Sequence, residues 1–167
     1  MSTMVVEKAK HISKLTLDEF ITDDFVLLAI ITPLETYKLA YFINRALEVF
    51  LEKGRTDIEI KKGKNSHFYS HYFYDDIHTG TYWRLIDNVS HRSEYKPEGD
   101  SILFDDYTSS DLFLPEFKQV DVLLKIEEFE EQFDIAKLIH NIQQIKGVTT
   151  IYTIDNHTIK YKKNLFL

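Results

Sequence analysis

A chain of 167 residues with 44% hydrophobic and 14% aromatic side chains is one domain by size, able to bury roughly 70% of its unfolded surface around a single core. A formal net charge of −7 repels phosphate backbones and acidic lipids, which disfavours general nucleic-acid and membrane-surface binding. The absence of cysteine excludes disulfides, thiolate metal sites and cysteine nucleophiles, and suits a reducing, cytoplasmic compartment.

Residues 1–10 read as a flexible tail without the apolar core of a signal peptide, leaving 11–167 as a single domain. No apolar run approaches the ~20 residues of a membrane helix. The Asn88-Val89-Ser90 sequon is therefore incidental. Ile12 to Phe20 suggests a short strand. Phe25 to Ile31 is an unbroken apolar run, short enough for a strand buried on both faces. Thr32-Pro33-Leu34-Glu35 has the pattern of a capping box with proline at the first helical position. Apolar residues from Leu39 to Phe50 then recur at helical spacing, predicting a helix over about 33–53 that Gly54 ends.

Asp57 to Lys61 alternates as a strand with one wet face, closing a first βαβ unit over about 25–61. His67 to Tyr74 and Thr81 to Val89 read as two long antiparallel strands, the core of an inserted aromatic hairpin spanning about 66–104. Residues 91–101 read as a mobile loop, 102–104 as a short strand and 105–111 as an acidic turn region. A second βαβ unit is expected over about 112–154, with its helix at about 130–146 and Gly147 as its stop. A final strand is expected at about 158–165.

The second unit opens on Leu114-Pro115-Glu116-Phe117-Lys118-Gln119-Val120-Asp121-Val122. This stretch resembles the motif of the IPExxxVDY family, Bacteroidota proteins without an assigned function. Leu114 stands where the motif has Ile, and Val122 where it has Tyr. The resemblance extends from Leu15 through the Leu-Ala-Tyr-Phe-Ile-Asn helix at 39–44 to Tyr82-Trp83. It implies a lineage and no catalytic residues. Pro115 suits a strand start, and Glu116 and Asp121 are the motif's candidate functional carboxylates.

The two strand–helix units overlie without a gap, Leu27 on Leu123 and Ala40 on Ala136. Tandem βαβ units predict an α+β two-layer sandwich, a mainly antiparallel ferredoxin-like sheet with two helices on one face.

Chemistry-bearing constellations are weak. His67 and His71 share a strand face about 13 Å apart, too far for one metal. Carboxylates 127–131 and 105–111 lack the spacing and central Gly of a calcium loop. No phosphate loop or nucleophile elbow occurs. No metal, no cofactor and no catalytic residue is expected. Lys61-Lys62-Gly63-Lys64 and Lys160-Tyr161-Lys162-Lys163 read as solvated charge. The unusual composition is the aromatic run, with Tyr69, Tyr72, Phe73, Tyr74, Tyr82 and Trp83 as candidate interface residues. The leading expectation is a non-enzymatic binding or adaptor module docking a protein partner through this hairpin, with homodimerisation open. The alternatives are a small-molecule-sensing dimeric domain and an RNA-associated accessory factor.

Overall fold

The computed structural model describes residues 25–95, 111–128 and 133–166. Its elements in chain order are β1 (Phe25–Ile31), α1 (Thr36–Leu47), β2 (Glu52–Lys53), β3 (Ile58–Lys62), β4 (Asn65–Tyr69), β5 (His71–Asp76), β6 (Thr81–Asp87), β7 (Arg92–Tyr95), β8 (Val122–Glu127), α2 (Ile135–Gln143) and β9 (Thr150–Ile154). The strands predicted at 12–20 and 102–104, the acidic run 105–110, and residues 129–132 lie outside the described residues.

Six strands form one sheet in the order β2-β5-β6-β8-β1-β9; β3, β4 and β7 form a second. Every strand pairing is antiparallel. The expected α+β class therefore holds, and both helices pack on the same face of the larger sheet.

The centre of that sheet follows directly from the two most apolar stretches. Strand β1 is buried along nearly its whole length, as its unbroken run of Phe, Val, Leu and Ile requires. Alternation splits the run: Val26, Leu28 and Ile30 join the helices' core, while Phe25, Leu27 and Ala29 join a second core on the opposite face. Strand β8 divides in the same way, Val122, Leu124 and Ile126 against Leu123. Ile58, Tyr69, Phe113, Leu114 and Ile159 complete the second core. At ~25 cal/mol per Å² of apolar surface, this double burial makes β1 and β8 the principal source of hydrophobic stabilisation.

Local departures from the sequence reading have identifiable causes. Helix α1 is shorter than 33–53. It ends where Glu48 turns left-handed (φ 56°), and the chain then re-enters the sheet edge as β2. The capping box does not form. The Thr32 hydroxyl donates to Gly147 O at 2.7 Å, and Glu35 takes the N-cap position instead. Gly147 itself has φ 106°, and Leu34 atoms lie 2.8–3.0 Å from where a Cβ would stand, so no other residue fits there. Helix α2 is likewise shorter than 130–146, beginning after Asp134, whose side chain accepts from Lys137 N at 2.8 Å.

The strand at 58–62 leaves the first βαβ unit and pairs with β4 in the second sheet. The element that returns to the main sheet parallel to β1, with β8 between them, is β6. The long strand expected at 67–74 is two strands in two sheets, divided at Ser70, whose carbonyl accepts from Asp87 N. Residues 92–95, expected in a loop, form β7 against β4.

No final strand forms at 158–165. Short 3₁₀ turns occupy 156–158 and 162–165. Side chains satisfy the backbone that a neighbouring strand would have paired. Glu116 Oε1 accepts from Lys160 N (2.7 Å) and Tyr161 N (3.2 Å), and Lys125 Nζ donates to Leu165 O at 2.8 Å.

Candidate interaction surface

The motif stretch is held by one residue that the sequence reading passed over. Asn88, at the end of β6, is fully buried. Its Nδ2 donates to Phe117 O (3.0 Å) and Val120 O (2.9 Å), and its Oδ1 accepts from Leu114 N (2.9 Å). Its backbone N donates to Asp121 O and its carbonyl accepts from Phe113 N. Loop 113–121 is therefore wrapped around a single side-chain amide, satisfying groups that burial would otherwise leave orphaned. The two motif carboxylates tie this loop outward. Glu116 holds the C-terminal segment as above. Asp121 Oδ2 accepts from Thr32 N at 2.8 Å, closing the end of β1. Glu116 and Asp121 thus act as acceptors for distant backbone donors.

A hairpin forms inside the predicted stretch but is shorter than expected, β5 pairing β6 through the turn at 77–80 while 65–69 belongs to the second sheet. Its aromatics do not form one exposed platform. Trp83 is 4% exposed, donates from Nε1 to Thr81 Oγ1 at 3.1 Å, and meets Phe133 edge-on. Tyr69 is fully buried against Phe113, and burial beside Asp111 pushes its hydroxyl well above the usual tyrosine range. Tyr72 and Tyr74 are half-buried against the helices' core. Phe73 and Tyr82 lie on the opposite face, half-buried, with Tyr82 accepting from Arg84 Nη2 at 2.9 Å. Of the six candidate residues, two are core and four are partly covered.

The most exposed aromatics among the described residues are elsewhere. Tyr37 (53%), Tyr41 (56%) and Phe50 (68%) lie on and just beyond α1. Tyr37 and Tyr41 are one helical turn apart, so they share a face. Lys38 Nζ stands 5.4 Å from the centre of the Tyr37 ring, and the Arg45 guanidinium 5.8 Å from that of Tyr41. Phe50 meets Tyr74 edge-on at 6.1 Å, which joins the helix strip to the hairpin, and Lys53 stands over Tyr72. From Thr36 to Leu47 there is no Asp or Glu, in a chain of 27 acidic and 20 basic residues. The sequence reading missed this strip, and it set Phe50, 68% exposed here, on the apolar stripe; the spacing of Tyr37 and Tyr41 relative to Leu39, Ala40 and Ile43 is the signal that could have found it.

Two titratable clusters remain. Asp111 accepts from Tyr69 Oη at 3.4 Å, pairs with Lys62, and lies 3.8 Å from His67 Nε2. At the other end of the sheet junction, Asp87 accepts from the Thr36 hydroxyl, with Lys53, His91 and Asp57 nearby. Burial raises the Asp87 carboxyl above the ordinary aspartate range; the Thr36 bond and the two basic groups only partly oppose it. Such a group favours the protonated fold, so its contribution is present at low pH and lost as pH rises through the raised value. Asp87→Asn keeps an acceptor for Thr36 and removes the ionisation. Urea midpoints should show the variant more stable than the parent at pH 8, with the gap closing towards pH 4. A gap that persists unchanged at pH 4 would contradict the assignment.

Among the described residues no group of three His, Asp or Glu side chains is placed to hold a metal ion, and no helix is long and apolar enough to cross a membrane. An open cleft of about 370 Å³ lies beside β1 and β9, between Phe25, Val26 and the turn Asp155–His157. Comparison with family models, with curated proteins and with solved structures found no match.

Proposed function

We propose that the chain is a non-enzymatic binding module that docks an acidic protein partner through Tyr37 and Tyr41 of α1, extended by Phe50 and Tyr74. One observation carries this reading: a helix surface with two half-exposed tyrosines and a cation beside each ring, its carboxylates confined to Glu35 and Glu48 at the two ends, with Glu35 3.7 Å from Lys38, on a chain of net charge −7. Tyrosine and arginine are enriched at binding hot spots, where the ring supplies area at low entropic cost and the cation fixes orientation. Lys38 and Arg45 would also steer an acidic partner towards this side of the molecule. The surface moves from the hairpin itself to the helix beside it, because Trp83 and Tyr69 are occupied as core.

The reading includes two finer points. The strand order β9-β1-β8-β6, with one helix after β1 and one after β8, supports a ferredoxin-like arrangement into which β2 to β5 are inserted. The Leu-Pro-Glu-x-x-x-Val-Asp-Val stretch supports a place in the IPExxxVDY family, and the lack of cysteine supports a cytoplasmic setting.

The double variant Tyr37→Ser/Tyr41→Ser should capture an acidic partner from native lysate at least about tenfold less well than the parent, with unchanged thermal unfolding. Capture by the parent should also weaken as salt is added. Equal recovery by both proteins would overturn the reading.

A further inference from the structure

Strand β9 is the last strand of the six-stranded sheet, and among the described residues no strand pairs its outer side. Natural edge strands are blunted by charges, prolines, bulges or extreme shortness. This one reads Thr150-Ile151-Tyr152-Thr153-Ile154, with no charge, no proline and β-branched residues at four of its five positions. It pairs with β1 in unbroken register, without a bulge. The backbone of β1 fixes which groups face outward. The Ile30 carbonyl accepts from Asp121 N, on the β8 side, and the Ile31 carbonyl from Thr149 N, on the β9 side. By alternation the backbone groups of Thr150, Tyr152 and Ile154 face β1, and those of Ile151 and Thr153 face outward.

One side chain partly shields this edge. Gln143, in the last turn of α2, accepts from Ile151 N at Oε1 (3.2 Å) and donates from Nε2 to Thr149 O (3.3 Å). Its amide bonds two outward backbone groups that an added strand would use. Two long bonds made by one partly exposed side chain are readily exchanged for a backbone ladder.

We propose that the β9 edge is a homotypic interface, taking the β9 of a second copy antiparallel across a two-fold axis, with Gln143 as its displaceable plug. Two features select a second copy over a charged partner segment. The strand is self-complementary: centred on Tyr152, the pairing sets Thr150 against Ile154 and Ile151 against Thr153, combinations that favour pleated pairing. And the edge strand carries no charge, so two chains of net charge −7 meet there without placing like charges directly opposite one another. His140 and Ala136, three and seven residues before Gln143, continue the exposed α2 side that overhangs the edge and would extend the contact beyond one strand pair.

Sedimentation equilibrium on the full chain tests this with three proteins: parent, Gln143→Ala and Thr153→Lys. The parent should self-associate to a dimer, Gln143→Ala should dimerise about tenfold more tightly, and Thr153→Lys should be monomeric with an unchanged melting temperature. A dimer that Thr153→Lys leaves intact overturns the proposal, because another face then forms it. Parent and Gln143→Ala both monomeric also overturn it.

Discussion

Asn88→Leu should remove a large part of the chain's stability. The side chain is nearly the same size, so the change removes hydrogen bonding without opening a cavity. It strands Leu114 N–H and the Val120 carbonyl in an interior where Asn88, Leu114 and Val120 are each at most 2% exposed, while the Phe117 carbonyl keeps only its bond from Val120 N. Two buried groups left without partners cost about 1–3 kcal/mol each, so the loss is on the order of 2–6 kcal/mol. That is a large part of the whole stability of a domain of this size, about 5–15 kcal/mol. Asn88→Asp offers a sharper comparison. It keeps the acceptor for Leu114 N–H but loses both donors and sets a carboxylate against two carbonyl oxygens. It should be equally damaging at neutral pH and recover partly in acid, when one oxygen regains a proton. Chemical denaturation at pH 7 and pH 4 reads both effects. An Asn88→Leu protein as stable as the parent would show that loop 113–121 is held by its apolar contacts alone.

Trp83→Ala should cost about 3–5 kcal/mol, the range for removing a large aromatic from a core. Trp83 packs with Leu85, Leu124 and Ile126 in the helix-side core, meets Phe133 edge-on, and its indole N–H is satisfied by Thr81. Loss of binding in this variant would thus report unfolding. Tyr41→Ser, at a position more than half exposed, should leave the melting temperature within a few degrees of the parent. Thermal unfolding of the two variants separates core aromatics from surface ones. Similar melting temperatures for both would contradict the division.

Sequence patterns carried the fold's centre but not its long-range joins. The double burial of Phe25 to Ile31 was visible because an unbroken apolar run of that length has no wet face to offer. The hairpin at 71–87 was visible because alternation and a turn signal agree there. The break at Ser70 was not, since alternation continues on both sides, and only the Asp87 N–H reaching Ser70 O shows where the chain changes sheets. The fate of 158–165 was hidden for a related reason. Its backbone partners are side chains of Glu116 and Lys125, at least 40 residues away in sequence. Asn88 carried only the pattern of a surface sequon, whereas its neighbours in space are the residues of the Leu114–Val122 stretch. That stretch is recognisable in sequence as a unit, and Glu116 and Asp121 stood out within it as carboxylates in search of a role. The fold gives both a backbone to hold.

The most direct test is site-specific photo-crosslinking with a benzophenone side chain placed at position 41, 50, 82 or 152 of the full chain in native lysate. Docking through α1 predicts one discrete acidic protein crosslinked from 41 and 50 and none from 82, on the opposite face of the sheet; position 152 should trap only a second copy of the chain. The same partner captured from 82 and absent at 41 would contradict it.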